Sequence, residues 1–156
     1  MTDAGQSGSR VLLCRVEAVV CALPLENVSE TMRPLPLERI GELPGFIDGL
    51  SIIRGKAVPV IDLARLLGSG KETKKTRLVL IKIEERNVAL SVDAVIGIRT
   101  LENGSLKQLS PLLRGASAEF VRTVGSLDAQ LLIVLESSRI VPAAIWAQLQ
   151  AAGVQA

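Results

Sequence analysis

Few side chains in this 156-residue chain could do chemistry, and most of them lack a partner. There is no histidine, which removes the commonest general base and the commonest metal ligand. A serine nucleophile needs a base in reach, and neither GxSxG nor SxxK occurs. Glu84 and Glu85 are adjacent carboxylates, but they sit beside a predicted turn and read as solvated. The run "GSGKET" at 68–73 resembles part of a phosphate loop. It lacks the first glycine at the required spacing, and no long apolar strand leads into a full helix. Cys14 and Cys21 have no CxxC spacing and no histidine to complete a zinc site. A two-residue turn at Glu17 and Ala18 would set them opposite each other, where a disulfide is conceivable. Two reduced, buried thiols are the favoured expectation. No catalytic residue, metal site or cofactor is predicted.

One charge stands apart. In "GFIDGLSIIRGKAVPVIDLARLLG", residues 45–68, Arg54 is pinned between Leu50, Ile52 and Ile53 on one side and Gly55 on the other. Another apolar strand follows at once. A guanidinium held by buried flanks would be pre-organised. It could grip a carboxylate or carbonyl with paired hydrogen bonds. The residues alone support a partner contact and an internal ion pair equally.

The chain is long enough for one ordinary domain or two very small ones sharing a core. Hydrophobic content of 48% against 22% charged residues allows a packed interior. No apolar run approaches the roughly 18 residues that span a bilayer. Residues 1–9 are polar and small and read as a disordered tail rather than a signal peptide, so a cytoplasmic location is expected. A net charge of +2 and three scattered aromatics, Phe46, Phe120 and Trp146, argue against a nucleic-acid-binding β-barrel.

Most of the sequence alternates short apolar runs with turn signals, as strands do. Residues 11–16 and 19–23 read as a hairpin, and 28–32 as a further strand. Residues 33–45 hold three prolines and read as an extended loop. Residues 56–61 form a strand whose Pro59 predicts a sheet edge or a bulge. Asp62 is placed to cap a short helix that Gly68 ends. Residues 69–76 read as a solvated linker. Strands are predicted at 77–84, after a turn at Arg86 and Asn87, and at 94–101. A hairpin turns at Asp128 and Ala129, and a helix covers 138–152 with Pro142 in its first turn. Both halves open with a hairpin and end on an apolar strand, an acid and a short helical stretch. The echo predicts two similar small barrels with a groove between them.

The 45–68 stretch resembles the signature of the CheW family of chemotaxis coupling proteins, through Gly49, Arg54, Gly55, Pro59, Val60, Ile61, Asp62, Leu63, Leu67 and Gly68. Val92, Asp93, Val95, Gly97 and Ile98 resemble a second family element. The likeness spans about residues 10–142. It implies a mainly β fold of two intertwined SH3-like five-stranded barrels, with short helices and a C-terminal helix. A single domain would run over 10–152, the first barrel over roughly 20–70 and the second over roughly 77–135, with the N-terminal strand and the C-terminal segment completing and bridging the barrels. It implies a non-catalytic scaffold that binds the regulatory domain of a CheA-type histidine kinase and the cytoplasmic tip of a methyl-accepting chemoreceptor. Such a protein is cytoplasmic and recruited to membrane-associated receptor arrays, without inserting itself.

The partner-binding residues carried over are Val28, Glu30, Gly49, Ser51, Arg54, Gly55, Val88, Val92, Val95 and Gly97. Ile52 stands where the family usually has asparagine. That departure raises the alternative of a non-flagellar chemosensory pathway serving pili, a cyclic nucleotide or development. Exposed barrel edges could also pair weakly with a second copy.

Overall fold

A computed structural model describes residues 8–39, 41–68, 75–102, 107–108 and 119–154. Most of the expected tail and most of the expected linker lie outside them. Strand β1 (Ser9–Val16) turns through Glu17 and Ala18 into β2 (Val19–Pro24). A single 3₁₀ turn leads to β3 (Val28–Met32). The proline-rich segment then runs to the hairpin of β4 (Ile47–Ile53) and β5 (Lys56–Asp62), and α1 (Leu63–Leu66) follows. The second half repeats this plan. It has the hairpin β6 (Arg77–Ile83) and β7 (Arg86–Val92), then β8 (Ala94–Leu101) and a short β9 (Lys107–Gln108). The hairpin β10 (Val121–Leu127) and β11 (Gln130–Leu135), a 3₁₀ turn and α2 (Ala143–Ala151) complete it.

The strands form a six-stranded sheet, β8-β1-β2-β11-β10-β9, and a five-stranded sheet, β3-β6-β7-β5-β4. The first five positions of the two orders match in kind. Each has a lone strand, an antiparallel hairpin, a parallel step and a second hairpin. The opening hairpins are exchanged between the halves. β1–β2 joins β8, β10 and β11, whereas β6–β7 joins β3, β4 and β5. The sheets therefore do not divide at the 69–76 segment.

Burial follows the period-2 rule of strands. In β1, Leu12, Cys14 and Val16 join the large cluster shared by both sheets, while Val11 and Leu13 join a smaller one in the six-stranded sheet. A third cluster, with Ile53, Val58, Val60, Leu78, Leu80 and Ala89, fills the five-stranded sheet. Strands buried on both faces read as near-continuous apolar runs, which explains segments such as "RVLLCRV" and "RLVLIKI".

Several sequence expectations need correction. Of the two settings expected for Pro59, an edge is excluded, because β5 pairs with β4 on one side and β7 on the other, while the β4–β5 register does shift between Ile47 and Gly49, one pair beyond Leu50 and Pro59. Pro59 is tolerated by hydrogen-bond direction. Its partner Leu50 exchanges both backbone bonds with Glu38 instead, at 2.8 Å each way. Leu50 and Pro59 thus form a pair without bonds between them, and the proline nitrogen faces away from β4. On that side, pairing with β7 begins only at Val60. The β6–β7 turn falls on Glu84 and Glu85, with Glu84 at φ 57°, rather than on Arg86 and Asn87. The C-terminal helix starts at Ala143. Pro142 is its N-cap residue, and a separate 3₁₀ turn holds Ser137–Arg139. A proline disfavours helical backbone in the residue before it, which breaks the expected continuous helix.

Cys14 and Cys21 face each other across β1–β2, fully buried and reduced. Burial pushes the Cys14 thiol up to about 12. Burial first, and Cys14 second, raise Cys21 further. Alkylation by iodoacetamide at pH 8 should therefore be roughly a hundredfold or more slower in the native protein than in urea, because the thiolate is the reacting species. Mass spectrometry of timed aliquots checks this; equal rates would place the thiols near solvent.

Candidate functional site

The β4–β5 hairpin has a two-residue connection, since Ile53 pairs with Lys56. Arg54 and Gly55 take φ 53° and 78°. Both central residues are left-handed, as a type I′ turn requires. Gly55 adopts that geometry without strain. Arg54 is there by exception, at the tip of the hairpin, with its side chain 74% exposed. The guanidinium is turned back on the protein. Its Nε donates to Glu30 Oε2 at 3.0 Å, and its Nη2 donates to the same oxygen.

This pair spans a seam. Glu30 lies on β3 and Arg54 on the β4–β5 turn, and β3 and β4 are the two ends of the five-stranded order. The six-stranded sheet holds a matching pair with the charges reversed. Arg99 on β8 meets Asp128 at the β10–β11 turn, at 2.6 Å. Asp128 also sits at φ 53°. Exposed pairs of this kind are worth about 0–1 kcal/mol each. They select the closed geometry more than they stabilise it.

The other sequence-predicted site residues divide into surface and interior. Val28 on β3 is half-buried beside Glu30. Ile52 is 66% exposed next to Arg54, so an isoleucine presents its side chain to solvent where the signature has asparagine. Ser51 is buried and donates its hydroxyl to the Pro36 carbonyl at 2.8 Å. Gly49 is buried at φ 146°, and a Cβ there would come within 2.6 Å of the Glu38 carbonyl oxygen. Gly49 and Ser51 therefore dock the proline-rich segment onto β4. Val88 and Val92 lie in the main core, 0% and 1% exposed, and offer no side chain to a partner. Val95 and Gly97 are half-buried on β8. Between and beyond them, Ile96 and Ile98 are 48% and 56% exposed. A cleft of about 190 Å³ lined by Leu13, Val20 and Ile96 opens beside that strand.

Sequence reasoning passed over one charged centre. Lys75, in the expected solvated linker, places Nζ 2.9 Å from Asp48 Oδ2 and 2.8 Å from Asp62 Oδ2. Asp62 is also the N-cap of α1, accepting from the Ala64 and Arg65 amides at 3.1 and 3.3 Å. A usable signal was Asp48 within "FIDGLSII", since a carboxylate inside an apolar run must find a cation. Burial by itself pulls the Lys75 pKa down. Hydrogen bonds to Asp62 and Asp48 outweigh it and hold the ammonium above its ordinary 10.5.

With this geometry in view, comparison with known proteins is decisive. The CheW-like domain model matches residues 10–144. The chain belongs to the CheW-like family. A chemotaxis protein CheW of Thermotoga maritima is 26% identical over 134 residues, covering 84% of this chain and 86% of that one. Protein FrzA of Myxococcus xanthus is 32% identical over 106 residues, covering 67% and 65%. The crystal structure of a scaffolding protein, TtCheW of Thermoanaerobacter tengcongensis, superposes with a TM-score of 0.71 at 27% identity, covering 82% of this chain and 88% of that chain. The paired barrels of a CheW-like protein are thus the expected setting for the Arg54–Glu30 pair.

Two ion pairs should separate in stability. Lys75→Met removes the cation shared by Asp48 and Asp62, leaving Asp62 only Arg65 at 3.5 Å and Asp48 without its Lys75 partner, and should cost roughly 3 kcal/mol, the low end of the scale for breaking a buried pair. Arg54→Ala should cost under about 1 kcal/mol. Urea unfolding checks both. Lys75 titrates higher in the folded state, so its contribution is complete below pH 10.5 and is lost as pH rises through the folded value. Melts from pH 9 upward should show this loss in the parent and not in Lys75→Met.

Proposed function

We propose that this chain is the coupling adaptor of a chemosensory array. It holds the regulatory domain of a CheA-type histidine kinase and the cytoplasmic tip of a methyl-accepting chemoreceptor, so that receptor state controls the kinase without catalysis by the adaptor. Membership of the CheW-like family supports the role. The observation that carries the partner assignment is the exposed, turn-held Arg54, with Ile52 exposed beside it and Glu30 behind it. An apolar side chain next to an oriented guanidinium is the composition of an interface core, where arginine is favoured and lysine is not.

The receptor tip is assigned to the second barrel and the groove beside it. A helical hairpin needs an apolar strip to dock on, and β8 offers exposed Ile96 and Ile98 beside half-buried Val95. Val28 extends the apolar character on the other sheet. No helix among the described residues is long and apolar enough to cross a membrane, and attachment to an array would come through the receptor.

Isothermal titration against the isolated regulatory domain of the host's own CheA tests this. Saturable binding is expected, weakened about tenfold or more by both Arg54→Ala and Arg54→Lys. The exchange Glu30→Arg with Arg54→Glu separates two roles of the arginine. It restores an intramolecular pair, so recovered binding would make Arg54 a brace. Continued loss would make it a direct contact. No binding by the parent protein would overturn the assignment of this kinase.

A further inference from the structure

A second site lies away from this surface, where the β6–β7 turn meets the start of α2. A cavity of about 160 Å³ opens there, and three features converge on it. The Arg86 guanidinium lies over the Trp146 ring, 4.8 Å from its centroid. It has no ion pair or hydrogen bond among the described residues. A guanidinium carries five donors and no acceptor, and stacking on the indole satisfies none of them. Ser137, 2% exposed, lines the same cavity, and its hydroxyl has no hydrogen-bond partner among the described residues. A buried polar group left so is rare and costly unless something else bonds it. Ala143, the first residue of α2, lines the cavity too. The N-cap of that helix is Pro142, which supplies no side-chain acceptor. The Ile145 amide donates to the Pro142 carbonyl at 3.0 Å, and the Ala143 and Ala144 amides at the positive end of the helix have no side-chain cap.

We propose that this cavity binds a single oxyanion, a carboxylate or a phosphate, between the Arg86 guanidinium, the Ser137 hydroxyl and the start of α2. All three supply donors, and helix N-termini favour anions for the same reason. The volume suits one small head group and is well below the roughly 300–1,000 Å³ of a drug-sized pocket. Glu84 is the one carboxylate among the lining residues. It opposes the anion and sets a modest affinity. The oxyanion has two sources, a free phosphate ion or an acidic side chain on a partner protein, and both present the same chemistry to the site.

The chain holds a single tryptophan, Trp146, so its fluorescence reads the site directly. Two probes are titrated into the full chain at ionic strength held constant with sodium chloride. One is inorganic phosphate, and the other is N-acetyl-aspartate methylamide, which carries a side-chain carboxylate on a peptide unit. A saturable change in emission is expected. Arg86→Gln should raise the dissociation constant about tenfold or more, as loss of a charge-assisted bond does. Ser137→Ala should raise it severalfold, and Glu84→Gln should lower it. Tighter binding of phosphate assigns the free ion, and tighter binding of the aspartate derivative assigns a partner's acidic side chain. No saturable change with either probe up to ~100 mM would overturn the proposal, since that is weaker than any specific site. Unchanged constants in a folded Arg86→Gln protein would overturn it equally. Should Arg86→Gln fail to fold, the opposite shifts in Ser137→Ala and Glu84→Gln still decide the question.

Discussion

Neither half of this chain closes a barrel from its own strands. Each half supplies an opening hairpin that the other half's sheet requires, and each sheet is left without two adjacent strands until the exchange is made. The main core lies across this exchange. It takes Leu12 and Cys14 from one opening hairpin, Val79 and Leu90 from the other, and Ile61 and Leu135 from the two closing hairpins. A small barrel buries too little apolar surface to be stable alone. Exchange turns two marginal units into one cooperative one. The cost is loop closure over long stretches of chain, which grows only slowly with length.

The polar groups at the crossings follow from this arrangement. Lys75 stands just before β6 and reaches Asp48 on β4 and Asp62 at the end of β5. It fixes the entry of one exchanged hairpin onto the sheet that receives it. Asp93 stands just after β7. Its carboxylate accepts the Glu17 amide at 2.8 Å, and its own amide donates to the Arg15 carbonyl at 3.0 Å. It ties the exit of that hairpin to the turn of the other. The Lys75 contacts are partly buried, where a missing partner is expensive, and the Asp93–Glu17 contact is exposed. The Arg54–Glu30 and Arg99–Asp128 pairs lie on the outside, where screening leaves them weak. The Lys75 centre is inside, and the Arg54–Glu30 pair lies at the surface.

What was legible in the sequence follows the same division. Hairpins set by local pairing, the Asp62 cap and the echo between halves could be read, because turn chemistry and strand period act over a few residues. The exchange could not be read from the residues, since "RLVLIKI" is equally apolar whichever sheet receives it; it was expected only through the family resemblance, which implied intertwined barrels. Pro59 misled for a related reason. Its position in the ladder depends on which way one nitrogen points, and that is set by Leu50 bonding to Glu38. Lys75 was hidden in a polar run, and its role appears only when β4 and β5 arrive beside it. Of the candidate site, Glu30 and Arg54 are joined as a pair, while Val88 and Val92 lie on β7, where residues 88–92 are buried on both faces.

Ile52 is the residue whose placement matters most to the docking surface proposed above. On β4 it alternates with Ser51 and Ile53, both buried, so its own side chain must point outward. An isoleucine 66% exposed beside the turn adds apolar area that a partner can remove from water, at roughly 25 cal/mol per Å². An asparagine there would instead bring donors and acceptors that a partner must match or leave unpaired. On the proposed reading, isoleucine here would shift the docking surface from polar matching towards apolar burial. On that reading specificity would come from the guanidinium, because an apolar contact discriminates poorly between partners of similar shape.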